Sequence, residues 1–325
     1  YISSGFRGCL NLASINDTFQ DTTIAACSLL WRDCRILTTF PSGLYDNFAS
    51  NITSLRSLCE DCRGLTSIPS GLYDGFVNVT DCQSIHRDNY ALTSLPDDLY
   101  RYMTSVTSFI IAHYDNRALT ALPNRLFYYN SNVTVYSDCL SLCRNMALPS
   151  ELFNLSNLSI VTSFVRFINV STTTYSHTGT VQEIWDYATS ANGLNCFTNN
   201  TALDNYADIP FDWKGMVSVG TLTTDQTTLQ QVGIYREFSG IAEIHWGDGN
   251  FTRSSDGVSD THDYSSTGTY QIELGAASET SITTIQSTNS RLTAITDLKT
   301  GDLVSVNRFN DNLLTSVDFE DVTIG

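Results

Sequence analysis

Lysine is almost absent from this sequence: Lys214 and Lys299 are the only two in 325 residues. With 17 Lys and Arg against 34 Asp and Glu, the formal net charge is −17. The chain therefore lacks the basic footprint that a phosphate backbone requires, and no nucleic-acid partner is expected. An anionic membrane surface would repel it as well. Long apolar runs are missing too, since stretches such as Phe109 to Ala112 fall far short of the ~20 residues of a spanning helix, so no membrane span is expected. No nucleophile elbow, HExxH pair or phosphate-binding loop occurs, so neither an enzyme nor a cofactor is expected. Nine cysteines are an odd number, which leaves at least one outside any intrachain bridge. The chain starts at Tyr1 and stops at Gly325 inside what reads as a further repeat, the pattern of a fragment or processed product.

Proline is scarce but regular. Five of the six prolines, Pro41, Pro69, Pro96, Pro123 and Pro149, stand 28, 27, 27 and 26 residues apart. Aligned on them are Leu37-Thr-Thr-Phe, Leu65-Thr-Ser-Ile, Leu92-Thr-Ser-Leu, Leu119-Thr-Ala-Leu and the degenerate Asn145-Met-Ala-Leu. A fixed period in the 20s predicts units too small to bury their own apolar faces, which must stack on their neighbours. After each proline, residues such as Leu72, Tyr73 and Phe76 predict one face of a short helix, with acids such as Asp97 and Asp98 in its first turn. Extended segments follow, at Asn51-Ile-Thr, Asn78-Val-Thr, Ser105-Val-Thr, Asn132-Val-Thr and Asn157-Leu-Ser.

A second column falls at Cys9, Cys34, Cys62, Asn89, Asn116, Cys143 and Asn200. Small inward side chains there would donate to backbone carbonyls of the neighbouring turn. The combined pattern resembles the leucine-rich-repeat surface proteins of bacteria and their tailed phages, with repeats of the BspA-like kind. That resemblance covers about half the chain and is more specific for fold than for function. Between the arrays, Trp185 and Trp213 predict an atypical closing unit. Further on, Trp246-Gly-Asp-Gly249, His262-Asp-Tyr264, Gly268-Thr-Tyr270 and Ile272-Glu-Leu274 are similar to PKD-type domains, small immunoglobulin-like sandwiches. Leu292-Thr-Ala-Ile295 and Leu314-Thr-Ser-Val317 then repeat at an offset of 22.

The expected fold class is accordingly a β-rich solenoid of leucine-rich repeats with short helices, plus an immunoglobulin-like PKD β-sandwich. The expected domains are an array over 1–171, a capping repeat over 172–215, a sandwich over 216–280 and a second array over 281–325.

Candidate sites are weighed against plainer readings. Cys59, His86 and His113 share one repeat position and could hold a metal, but the slot is held elsewhere by Leu140, and no fourth ligand stands by. Cys59 and Cys62 form a CxxC without the βαβ setting of a redox motif, so inert buried thiols are expected; a bridge between Cys34 and Cys62 is the alternative. Asp248, Asp256, Asp260 and Asp263 are weak candidates for Ca²⁺ against solvated turn acids. Nine glycosylation sequons occur, at Asn16, Asn51, Asn78, Asn132, Asn154, Asn157, Asn169, Asn199 and Asn250. Four of them share one repeat position, so the row is either a folding motif or an edge of sugars. The stripe Thr38, Thr66, Thr93 and Thr120 either faces a partner or is the outward β-favouring residue of each unit.

The function expected from this is a non-enzymatic extracellular, cell-surface or virion-surface protein that self-associates into a fibre, filament or adhesive appendage. The alternative is a soluble module that recognises a cell-surface protein or glycan through a concave face.

Overall fold

The 27-residue interval of the prolines is a hydrogen-bonding interval. The computed structural model describes residues 3–16, 18–20, 23–97, 99–170, 172, 174–226, 231–276, 282–288, 292–296, 305–306 and 316–317. The chain divides into two compact units, Tyr1–Ile209 and Pro210–Gly325. In the first, the eight residues leading into each Cys or Asn of the second column form consecutive turns, with a left-handed pair four residues apart: Ser57 and Asp61, Ser84 and Asp88, Ile111 and Asp115, Asp138 and Leu142. Alternate amides then point at the next repeat. Leu55, Ser57, Cys59 and Asp61 donate to the carbonyls of Asp81, Gln83, Ile85 and Arg87 at 2.9 to 3.0 Å. Four equivalent bonds leave Cys82, Ser84, His86 and Asp88, and four more leave Phe109, Ile111, His113 and Asp115.

Two further rows run in the opposite sense. The amides of Thr80, Thr107, Thr134 and Thr162 donate to Thr53, Thr80, Thr107 and Thr134 at 2.8 to 2.9 Å. Those of Thr66, Thr93, Thr120 and Ala147 donate to Thr38, Thr66, Thr93 and Thr120 at 2.9 to 3.4 Å. The side chains between these rows fill one core, with Leu37, Leu65, Leu92 and Leu119, and Phe48, Phe76, Phe109 and Tyr136, all buried.

The expected leucine-rich solenoid is overturned. No leucine-rich β-solenoid is shown: the parallel contacts of the first unit are single bridges, such as Ser54 to Asp81 and Asp81 to Ser108, rather than strands. The left-handed residues cause this, because each bends the backbone out of the pleat that a strand needs. Among the described residues the segments after the prolines form turns and, after Pro41 and Pro149, short 3-10 helices rather than the expected helical faces. Leu72, Tyr73 and Phe76 are buried, but their segment is a run of turns with Leu72, Asp74 and Phe76 donating three residues back, and Gly71 at φ 74° bars a continuous helix. Helix among the described residues is limited to one four-residue α-helix, Ile184–Tyr187, and 3-10 turns at Ala49–Asn51, Leu155–Ile160, Tyr206–Asp208 and Asp212–Lys214. None is long and apolar enough to cross a membrane.

The second unit holds the regular strands: β1 (Val217–Gln226), β2 (Gln231–His245), β3 (Phe251–Asp263), β4 (Gly268–Ala276), β5 (Ile282–Thr288), β6 (Leu292–Thr296), β7 (Ser305–Val306) and β8 (Ser316–Val317). They are joined in the order β7-β5-β2-β4-β1-β6-β8, with β3 on β2, and the long β2 pairs with β5 over its first half and β4 over its last residues, an arrangement compatible with a β-sandwich. Most pairs are antiparallel. The exceptions pair Ala294 with Ser316 and Ile295 with Val317, the 22-residue offset, and Thr284 with Ser305. Most of the expected second array, Leu314 included, lies outside the described residues.

Leu92→Ala is expected to cost about 2 to 5 kcal/mol in urea unfolding, since the side chain is fully buried. Thr93→Ala, one residue on and exposed, should stay within about 1 kcal/mol. Equal small losses would contradict the packing.

Candidate functional site

From Cys34 to Asn200 the Cys and Asn column is interior, and most of its members bond to backbone, although Asn89 Nδ2 is buried without a partner among the described residues. Cys34, Cys62 and Cys143 donate their thiols to the carbonyls of Phe6, Trp31 and His113 at 3.1 to 3.2 Å, and Asn200 Nδ2 reaches Ile168 O at 3.0 Å. Asparagine adds an acceptor: Asn89 Oδ1 takes the Cys62 amide, and Asn116 Oδ1 takes the Asn89 amide, both at 2.9 Å. An unpaired buried amide at such a point would cost about 1 to 3 kcal/mol. Cys9 is half-buried. All nine thiols are free, Cys34 and Cys62 included, so the bridge weighed for that pair is not formed. Burial pushes the Cys27 and Cys143 thiols up to about 12 and Cys34 to about 11, far from a reactive thiolate.

His86 and His113 do stack, 5.3 Å apart, but their Nε2 atoms are taken by tyrosines. Tyr73 Oη lies 3.0 Å from His86 Nε2, and Tyr100 Oη 2.7 Å from His113 Nε2. One repeat further on, the pair becomes Phe127 and Leu140, so both polar partners vanish together. That paired change was legible in the sequence as a covarying column. Burial drives both imidazoles toward neutrality, with His113 lowered to about 3. His177 behaves likewise: it accepts the Met146 amide on Nδ1 at 3.1 Å, and burial lowers it to about 4. Among the described residues, no group of three or more His, Cys, Asp or Glu is arranged to hold a metal ion.

The sequon row is spent on stacking. Asn78 Nδ2 donates to Ser50 O at 2.8 Å and Asn132 Nδ2 to Thr104 O at 2.9 Å. In the intervening repeat Ser105 makes the same bond to Val77 O at 2.9 Å, without an amide side chain. Asn16, Asn51 and Asn250 are exposed; Asn154, Asn157, Asn169 and Asn199 are half-buried, and Asn199 Nδ2 donates to Val170 O at 3.0 Å. The threonine stripe has a similar use, for the hydroxyls of Thr66, Thr93 and Thr120 donate to the threonine carbonyl of the preceding repeat at 3.2 to 3.4 Å.

In the second unit the four aspartates do not converge. Asp248 Oδ2 holds His262 Nε2 at 2.7 Å, and burial, which alone would raise its pKa, is outweighed by the bonds from His262 and Asn250, so its carboxyl titrates below the usual range. Asp260 faces Ser254, Asp263 takes Gln231 Nε2 at 3.2 Å, and Asp256 is on β3 opposite Ser239. The motif residues instead hold one another. Trp246 stacks on His262 at 5.1 Å, Tyr264 Oη donates to Trp246 O at 2.8 Å, and Tyr264 stacks on Tyr270 at 4.1 Å.

No family model, curated protein or solved structure matches this chain. Function therefore rests on the chemistry of its own side chains.

Two features escaped the sequence reading. Lys214 is fully buried in the second unit, with Nζ 2.7 Å from His245 Nε2 and 3.5 Å from Glu243 Oε2, while Arg253 holds the other Glu243 oxygen at 3.4 Å. Burial lowers the amine to about 8, and Glu243 offsets that only in part. The second feature lies on the surface of the first unit, where the residues after the five column positions from Cys34 to Cys143 are Arg35, Arg63, Tyr90, Arg117 and Arg144. Arg63 and Arg117 both sit over the Tyr90 ring, at 5.0 and 4.3 Å. A column of acids runs beside them, and Arg35 pairs with Asp61 at 2.9 Å. Exposed Tyr102 and Tyr129 form a separate patch, with Arg101 5.6 Å from each ring.

The imidazoles fix a pH dependence. Their folded pKa lies below the unfolded value, so the stability they confer is full above about pH 6.5 and is lost as the pH falls through that value toward the folded pKa, at about 1.4 kcal/mol per pH unit for each. The double variant Tyr100→Phe/His113→Leu, which copies the Phe127 and Leu140 pair, should shed one histidine's share of this acid sensitivity. It should also cost less than the sum of its single variants. Thermal melts between pH 4.5 and 7.5 check this; an unchanged slope would contradict it.

Proposed function

We propose that this chain is a non-enzymatic structural and adhesive protein of an extracellular, cell or virion surface, working by self-association into a fibre, filament or appendage. The observation that carries the reading is the repeated hydrogen-bonded stacking, in which the side chains that recur at 27-residue spacing are consumed in joining one repeat to the next. Such a unit holds surface groups at fixed intervals. The groups that could have suggested chemistry are occupied otherwise: the thiols of Cys34, Cys62 and Cys143 are bound to carbonyls, the stacked imidazoles to tyrosines, and Lys214 is sealed from solvent.

A second reading, a soluble recognition module, is favoured by the arginine and tyrosine stripe and by the Tyr102 and Tyr129 patch, since these residue types dominate the energetics of recognition surfaces. Electron microscopy of the native particle and of the purified chain separates the two. Regular axial arrays are the expected result; dispersed monomers that bind cells would favour recognition, and turnover on a substrate panel without assembly or binding would overturn both.

A further inference from the structure

The surface stripe follows a pairing rule that fails at one place. At the left-handed position just before the column stand Asp33, Asp61, Asp88 and Asp115; Asp61 and Asp115 meet arginines of the stripe, whereas Asp88, in the repeat that carries Tyr90, pairs with Arg87. Arg35 and Arg63 share Asp61, and Arg117 grips Asp115 with two bonds, at 2.9 and 2.7 Å. In the fifth repeat the acid is replaced by Leu142, at φ 61°. Leucine tolerates that conformation less well than aspartate, so the exchange does not serve the backbone. It leaves Arg144 with no carboxylate within ion-pair distance among the described residues; its guanidinium rests over the Tyr175 ring at 4.6 Å. At the same place the surface opens into a cleft of about 110 Å³, bordered by Asp115, Arg117, Leu142, Arg144, Val170 and Tyr175.

We propose that this cleft binds an acidic sugar, a pyranose carrying one carboxylate. A free guanidinium recognises a carboxylate through two parallel N–H donors, a geometry that a rigid planar fork supplies at little entropic cost. Asp115 stands on the other side of the cleft. Its oxygens, each holding one bond from Arg117, keep lone pairs that accept sugar hydroxyls. The same carboxylate, together with the net charge of −17, disfavours a doubly charged phosphate. Leu142 and Val170 give the C–H face of a ring an apolar wall. The volume equals that of about four waters, enough for a carboxylate and the ring atoms next to it with the rest of the saccharide outside. Uronic-acid polysaccharides and terminal sialic acids both present this chemistry. The inference deepens the adhesive reading and rests on it.

Saturation-transfer NMR and calorimetric titration with four probes test the site: methyl β-glucuronide, the methyl glycoside of N-acetylneuraminic acid, neutral methyl β-glucoside and inorganic phosphate. At least one acidic glycoside should bind at least tenfold more tightly than the glucoside and than phosphate, and which of the two binds names the source. Arg144→Ala should weaken it tenfold or more, and Arg144→Lys less. Leu142→Asp, which restores the residue of the other repeats and so keeps the fold, should abolish binding by supplying the missing internal partner. Arg63→Ala, in the same stripe but outside the cleft, should bind as the unaltered chain does. No binding of either acidic glycoside, equal binding of glucoside or phosphate, or unchanged binding in Leu142→Asp would overturn the proposal. Filaments seen by microscopy while glycoside binding is absent would remove the site alone; loss of assembly and cell binding would remove the adhesive reading itself.

Discussion

The first unit depends on one constraint: backbone amides of each repeat must find carbonyls one repeat away, and they do so along three rows at once. The turn segment donates forward, whereas the two threonine rows donate backward, so the stack is tied in both senses. Each net hydrogen bond is worth only about 1 kcal/mol, but an amide left unpaired in the interior costs more, so a shift of register by one residue would be penalised at every repeat together. The spacing of the prolines is the visible trace of that rule. Side chains then reinforce it where the backbone cannot, through the thiols and amides of the inner column and through the asparagines and threonines on the edge.

In the interior several polar side chains come in pairs. Trp31 Nε1 meets Tyr45 Oη at 2.8 Å, Tyr73 meets His86, and Tyr100 meets His113; where the imidazole gives way to Leu140, the hydroxyl gives way to Phe127. Both halves of the pair change because either alone would strand a buried polar group. The second unit applies the same rule to charge, enclosing Lys214 with Glu243, His245 and Arg253. Outside, acids pair with Arg35, Arg63 and Arg117 of the stripe, whereas Arg144 rests over Tyr175.

Much of the organisation could be read directly. Period, proline alignment and the inward Leu columns follow from spacing, and so does the inner Cys and Asn column, because few side chains are both small and able to donate. The fold class could not be read this way. Residues such as Ser57, Ser84 and Ile111 carry no mark of a left-handed backbone, and a period-two apolar pattern looks alike in a strand and in a run of alternating turns. Likewise the Trp-Gly-Asp-Gly and His-x-Tyr residues announce contacts among themselves, which exist, without revealing whether the strands that bear them form one sheet or two. The cleft was hidden for a different reason: it is defined by an absent carboxylate at Leu142 beside an aromatic ring more than 30 residues on.

The account stands on the inter-repeat rows, and amide hydrogen exchange of the full chain reads them one residue at a time. The amides of Ser57, Cys59, Asp61, Ser84, His86 and Asp88 should exchange slowly and together with those of Thr80, Thr107 and Thr134, although Thr80 and Thr107 are exposed and Thr134 is half-buried. Rapid exchange in the turn segments, with protection confined to the strands of the second unit, would contradict it.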